Sequence, residues 1–176
     1  MPKGYSTQLI TAALCGLLVL SACGKRKAPK VERASVSSSD TNCMARAMYF
    51  ESNRSSRDGM IAVGTVVMNR VNSGDFPNTV CGVVGQKNQF APGVMTKPMT
   101  DSGLPLAQSS AAAVLRGERH PRLPKARFFH AAWYKADFNN IHYVLTTGGN
   151  AFYEKRRPEK VTQRRPVAAT EGLTPG

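Results

Sequence analysis

The chain has 176 residues and a net charge of +13, from 24 Lys and Arg against 11 Asp and Glu. With its polar ends set aside, that length suffices for one small domain, not several. No internal repeat occurs, which excludes a solenoid, and the excess of cations favours anionic partners.

The first residues read as an export signal rather than as part of a fold. Lys3 gives a positive start, and Leu9 to Leu20 is an apolar run too short to span a bilayer. The run ends in Leu20-Ser21-Ala22-Cys23-Gly24, which resembles a lipobox. That resemblance implies a lipoprotein signal peptide over residues 1–22, with lipid on the thiol and the new amino terminus of Cys23. The alternative is an ordinary signal with a chance cysteine. Gly24 is not the Asp that commonly retains lipoproteins at the inner membrane. The expected location is therefore the periplasmic face of the outer membrane of a Gram-negative cell. Residues 23–40 are basic, then Ser-rich, and read as a flexible tether. Residues 41–154 form the expected domain, and 155–176, rich in Arg, Lys and Pro, the expected disordered basic tail.

Cys15 leaves with the signal and Cys23 carries lipid, so Cys43 and Cys81 remain. Two cysteines in an exported domain usually join. The alternative is two free buried thiols. A charge of +13 also suits nucleic acid, but an exported protein meets anionic lipid and the carboxylates of a cell wall instead. No nucleic-acid partner is expected.

Asp40 or Thr41 caps a predicted helix running to about Asn53, with Glu51 near its end beside Met44 and Met48. Ser55-Ser56-Arg57-Asp58 resembles a capping box and opens a second helix to about Asn72. Met60, Ile61, Val63, Val66, Val67 and Val71 occupy most of its circumference, so it is the expected buried central helix, with Gly64 as a close-packing site. A short helix is expected within 79–86, a loop over 91–103, and an Ala-rich helix over 104–116 ended by Gly117. Residues 127–134, 141–146 and 150–153 favour strands, with Gly148-Gly149 as a turn. The fold class is α+β, with a helical front half and a small β-rich back half.

Glu51 carries the chemistry. A carboxylate among aromatic and apolar neighbours holds its proton more tightly, and a protonated acid near neutral pH is what glycosidic cleavage needs. A surface glutamate that happens to follow Tyr49-Phe50 is the plainer reading. The residues around it decide between the two. The run from Cys43 to Phe90, with Phe128-Phe129 and Gly149-Asn150-Ala151-Phe152-Tyr153, resembles the SleB-like cell wall hydrolases, which include the spore-cortex-lytic enzymes. The resemblance implies a lysozyme-like core, cleavage of peptidoglycan glycan strands, and Glu51 as the catalytic acid. The chain departs from the family pattern at Ser52-Asn53-Arg54, where Ala-Arg-Gly often follows the acid, and at Ala151, where a His is usual.

The acids after Glu51 are few and none has a comparable apolar setting, so a single-carboxylate mechanism fits. Better-known relatives are lytic transglycosylases; attack by water would make the same site a muramidase. Gln89 is the first candidate for a substrate hydrogen bond. Tyr49, Phe129, Trp133 and Tyr153 are candidates for stacking on sugar rings, with core packing as the alternative. Asn69 either bonds backbone or positions Glu51. No cofactor or metal is expected, because His120, His130 and His142 show no zinc-type spacing, although His130 and His142 fall on strands expected to be neighbours. A cysteine hydrolase conflicts with the expected disulfide. The rival class is a non-catalytic lipoprotein that binds peptidoglycan. The expected partners are peptidoglycan, the membrane through the lipid anchor, and an unidentified regulatory protein.

Overall fold

A computed structural model describes residues 37–175. The expected signal peptide, Cys23 and most of the expected tether lie outside the described residues. Among those described, helices α1 (Ser38–Glu51), α2 (Arg57–Val71), α3 (Val80–Val84) and α4 (Leu104–Leu115) precede strands β1 (Phe128–Ala131), β2 (Ile141–Thr147) and β3 (Asn150–Lys155).

The Ser-rich end of the expected tether is already helical, since α1 opens at Ser38 rather than after Asp40. The second helix starts where expected, but its cap is Ser56, whose hydroxyl accepts from the Gly59 N–H at 2.9 Å. Asp58 does not close a capping box there; its carboxylate is used elsewhere. From Met60 to Val67 every residue of α2 is buried, because apolar side chains cover nearly the whole circumference. It packs against α1, α3 and α4. Gly64 is the contact point: a Cβ there would lie 2.3 Å from Met48 Cε and 3.1 Å from Val114. The Cys43–Cys81 disulfide forms and ties α1 to α3.

The three strands form an antiparallel sheet in the order β1-β3-β2, with an irregularity between Tyr143 and Leu145. His130 and His142 are thus on strands separated by β3, not on neighbours as the sequence suggests. The hairpin turn leaves β3 beside β2, and β1 takes the other edge of β3. Phe129, Leu145 and Phe152 face the helices and join the main core. Tyr143, Ala151 and Tyr153 belong to a second, smaller cluster on the outer face, with Ile141.

The expected disordered tail is instead ordered against the domain. A 3-10 turn (Pro158–Lys160) leads into a segment along β2, where the Tyr143 N–H donates to Gln163 O at 3.0 Å and the Thr170 N–H to Thr146 O at 2.9 Å. Further on, Asp58 accepts from the backbone N–H groups of Leu173 and Thr174 at 2.7 and 2.8 Å. Glu171 accepts from Ser56 Oγ at 2.6 Å and from the Gly148 N–H at 2.8 Å. The segment's composition is that of a loose tail. It is held because it satisfies the free edge of β2 and because two acids meet backbone and hydroxyl donors.

Candidate active site

Glu51 is the last residue of α1. The helix stops there because Ser52 turns to extended geometry and Asn53 donates its N–H to Gly148 O at 2.8 Å. Asn150 Nδ2 donates to the Glu51 carbonyl at 2.5 Å. The β2–β3 turn therefore grips the end of α1 on both sides of Glu51. That grip requires close approach: a Cβ on Gly148, at φ +55°, would lie 2.4 Å from Gly59 Cα.

The Glu51 side chain is half-buried, and its Oε1 accepts a hydrogen bond from the Ala91 N–H. Burial pushes its carboxyl above the ordinary value, while the Ala91 N–H and the nearby Arg70 charge oppose the rise without cancelling it. Arg70 is only 4% exposed. Its Nε donates to Arg127 O at 2.8 Å, and its guanidinium lies 5.0 Å from the Phe76 ring centre and 5.4 Å from that of Phe90. One terminal nitrogen is buried with no hydrogen-bond partner among the described residues. Burial pulls the Arg70 pKa down to about 10, so it stays cationic near neutral pH beside the acid.

Most other carboxylates of the domain are engaged elsewhere, and Asp137 is exposed in a loop. Asp75 pairs with Arg127, Asp101 with Arg54, Glu118 with Arg57 and Glu154 with Arg156. Asp58 and Glu171 hold the C-terminal segment. Among the described residues, none of these is seen at Glu51.

The other sequence candidates divide. Gln89 is exposed, two residues before Ala91, and its side chain makes no hydrogen bond among the described residues. Tyr49 is 3% exposed; its hydroxyl accepts from the Asp101 N–H and Arg54 covers its ring at 4.6 Å, so it cannot stack on a sugar. Asn69 spends its amide on the Leu123 and Ala126 carbonyls at 2.9 and 2.8 Å, holding the loop before β1. Phe129 packs between Phe90 and Phe152 as a core residue. Tyr153 stacks on Phe128 on the outer face of the sheet and lies near enough to Arg70 for the two to interact electrostatically, so it borders the Glu51–Arg70 site. Trp133 is 82% exposed, beyond the end of β1. Sequence reasoning assigned no role to Arg70 or Asn150. A cation inside an otherwise apolar helix was a signal for the first. The second stands in the Gly149–Tyr153 run that carries the resemblance, but its partner is 99 residues away and nothing local names its role.

Residues 54–153 match the cell wall hydrolase family, more than half of the chain and starting just after Glu51. The chain belongs to that family. Spore cortex-lytic enzymes are similar over a shorter stretch. The one from Bacillus cereus is 44% identical over 54 residues, which are 31% of this chain and 21% of that protein. The one from Bacillus subtilis is 40% identical over 54 residues, 31% of this chain and 18% of that protein. The match spans about a fifth of the length of these curated relatives. Among solved structures, the catalytic domain of the germination-specific lytic transglycosylase SleB from Bacillus anthracis superposes with a TM-score of 0.57 at 26% identity, covering 68% of this chain and 98% of that one. The catalytic domain of Bacillus cereus SleB gives 0.56 at 25%, covering 67% and 91%. This cell wall hydrolase therefore has the α+β, lysozyme-like fold of those domains.

Proposed function

We propose that this hydrolase cleaves the glycan strands of peptidoglycan as a lytic transglycosylase, with Glu51 as its one acid and base. The observation that carries the reading is a half-buried carboxyl whose pKa is raised by burial and which, among the described residues, has no second carboxylate beside it. Two-carboxylate glycosidases need a partner acid across the scissile bond. Here protonated Glu51 gives its proton to the leaving glycosidic oxygen as the C1–O bond breaks. The substrate's own N-acetyl oxygen stabilises the cationic carbon, as in substrate-assisted glycosidases. Glu51, now ionised, takes the proton of the muramic acid C6 hydroxyl, whose oxygen closes a 1,6-anhydro ring on C1. The acid is restored and no water is consumed. Arg70 steadies the ionised stage, and the Ala91 N–H fixes which oxygen is free to act.

The description of the Bacillus anthracis domain as a lytic transglycosylase supports the same outcome. Membrane attachment through Cys23 would confine cleavage to wall near the periplasmic face of the outer membrane. The test is mass spectrometry of the products released from purified sacculi by the purified chain. Muropeptides ending in 1,6-anhydromuramic acid, lost with Glu51→Gln, bear the proposal out. Reducing muramic ends would make the enzyme a muramidase. No release, with the protein still pelleting with sacculi, would make it a binding lipoprotein.

A further inference from the structure

The outer face of the sheet carries a feature that the cleavage chemistry does not use. A pocket of about 560 Å³ opens between the loop after β1 and the C-terminal segment. Trp133, Tyr134 and Lys135 line one side, Arg164 and Arg165 the other, and Tyr143 lies between them. The strand order explains the placement. β1 is one edge of the sheet, the C-terminal segment runs along the opposite edge beside β2, and the pocket spans the distance between. Its floor is fixed, since Tyr143 is buried and its hydroxyl is hydrogen-bonded to His130 Nε2 at 2.7 Å. Its rim is open: Trp133 is 82% and Tyr134 48% exposed. Lys135, Arg164 and Arg165 are exposed and make no ion pair among the described residues.

An exposed tryptophan is a flat apolar platform of the kind a sugar ring covers. Three unpaired cations at one pocket call for an anion, and Arg is suited to bidentate contact with carboxylate. Joined to the proposed cleavage of peptidoglycan, on which this inference rests, the charge selects one ligand. We infer that this outer-face pocket is an accessory site for peptide-bearing glycan, with Trp133 under a sugar ring and Arg164, Arg165 and Lys135 on the carboxylates of the stem peptide. The site is linked to the catalytic end of the sheet. The Ala132 N–H donates to Gly149 O at 2.8 Å, one residue before the Asn150 that grips Glu51. A lipid surface fits the site less well, because acyl chains offer nothing to the His130–Tyr143 polar pair and a bilayer does not enter a recess of this size.

The test is co-sedimentation of the full chain, diluted from detergent to well below its critical micelle concentration so that vesicles survive, in the Glu51→Gln background so that the wall stays intact. Three targets are used: whole sacculi, sacculi stripped of stem peptides by an amidase, and vesicles of phosphatidylethanolamine with phosphatidylglycerol. Whole sacculi should be bound about tenfold more tightly than stripped sacculi, the effect of two or three exposed ion pairs. Arg164→Gln with Arg165→Gln should abolish that difference, Arg164→Lys with Arg165→Lys should retain most of it, and Trp133→Ala should weaken binding to both kinds of sacculi. These side chains are exposed, so thermal melts of the variants should match the parent. Equal binding to whole and stripped sacculi overturns the inference. So does a double-Gln variant that loses only vesicle binding. If wild-type protein with Glu51 intact releases no sugar yet the sedimentation pattern holds, cleavage fails and the accessory site stands.

Discussion

Replacing both Cys43 and Cys81 with Ala removes the bond between α1 and α3, and the cost can be worked from its place in the chain. The two residues are 38 apart in sequence. Closing a loop of that size takes about 13 cal/mol/K of entropy from the unfolded chain, or about 3.9 kcal/mol at 25 °C. Unfolding entropy of ~2.1 cal/mol/K per residue over roughly 140 ordered residues amounts to ~0.3 kcal/mol/K, so Tm should fall by about 13 °C. Calorimetry of the oxidised protein, the same protein in dithiothreitol, and the double variant measures this directly. The two reduced forms should agree. Activity on sacculi at 25 °C should persist, because Val80, Val83 and Val84 keep α3 docked in the core. A fall of less than about 4 °C would refute the reasoning, since it would mean that the unfolded chain gains little freedom when the bond is lost.

Glu51→Gln should lower glycan cleavage by about 10²–10⁴-fold, the usual worth of a general acid. Its effect on stability should have the opposite sign. Burial raises the folded pKa of Glu51, so its favourable contribution is complete below the unfolded value and is lost as pH rises through the folded one. Melts at pH 4 and pH 8 should show the variant gaining on wild type only at the higher pH. Arg70→Met removes the charge that opposes that rise, so the alkaline limb of the pH–rate profile should move to higher pH; an unmoved limb would place Arg70 outside the electrostatics of the site. At Asp58, burial favours the neutral form but the Thr174 hydroxyl and the Leu173 and Thr174 N–H groups outweigh it and hold its pKa low. Asp58→Asn should therefore cost about 1–3 kcal/mol at pH 7 in urea denaturation, and the difference should shrink as pH falls through the folded pKa. Gly148→Ala must strain a positive φ and displace Gly59, so it should cost about 2–4 kcal/mol and lower activity by loosening the turn on α1; a neutral melt would contradict the packing.

Much of the fold was legible because it rests on local pattern. The continuous apolar character of residues 60–67 marked the buried helix, and Gly148-Gly149 marked the hairpin. The partly buried setting of Glu51 was legible from its apolar neighbours in sequence. What pairs residues over long distances was not. Strand order was misjudged because nothing local says that β1 joins β3 and not β2. The choices between stacking and core for Tyr49, and between backbone and Glu51 for Asn69, stayed open because their partners, Asp101 and the carbonyls at 123 and 126, lie about fifty residues away. The C-terminal segment looked disordered because its order comes from acids at 58 and 171 and from the edge of β2, not from any apolar run of its own.

That last segment sets the timetable of folding. Asp58 sits 115 and 116 residues before the Leu173 and Thr174 groups that satisfy it. During synthesis, the start of α2 emerges long before its partners do. Until then Asp58 is solvated by water instead of bonded to those groups, and the edge of β2 lies open. The contacts that seal the start of α2 and the edge of β2 can thus form only once residue 174 is free.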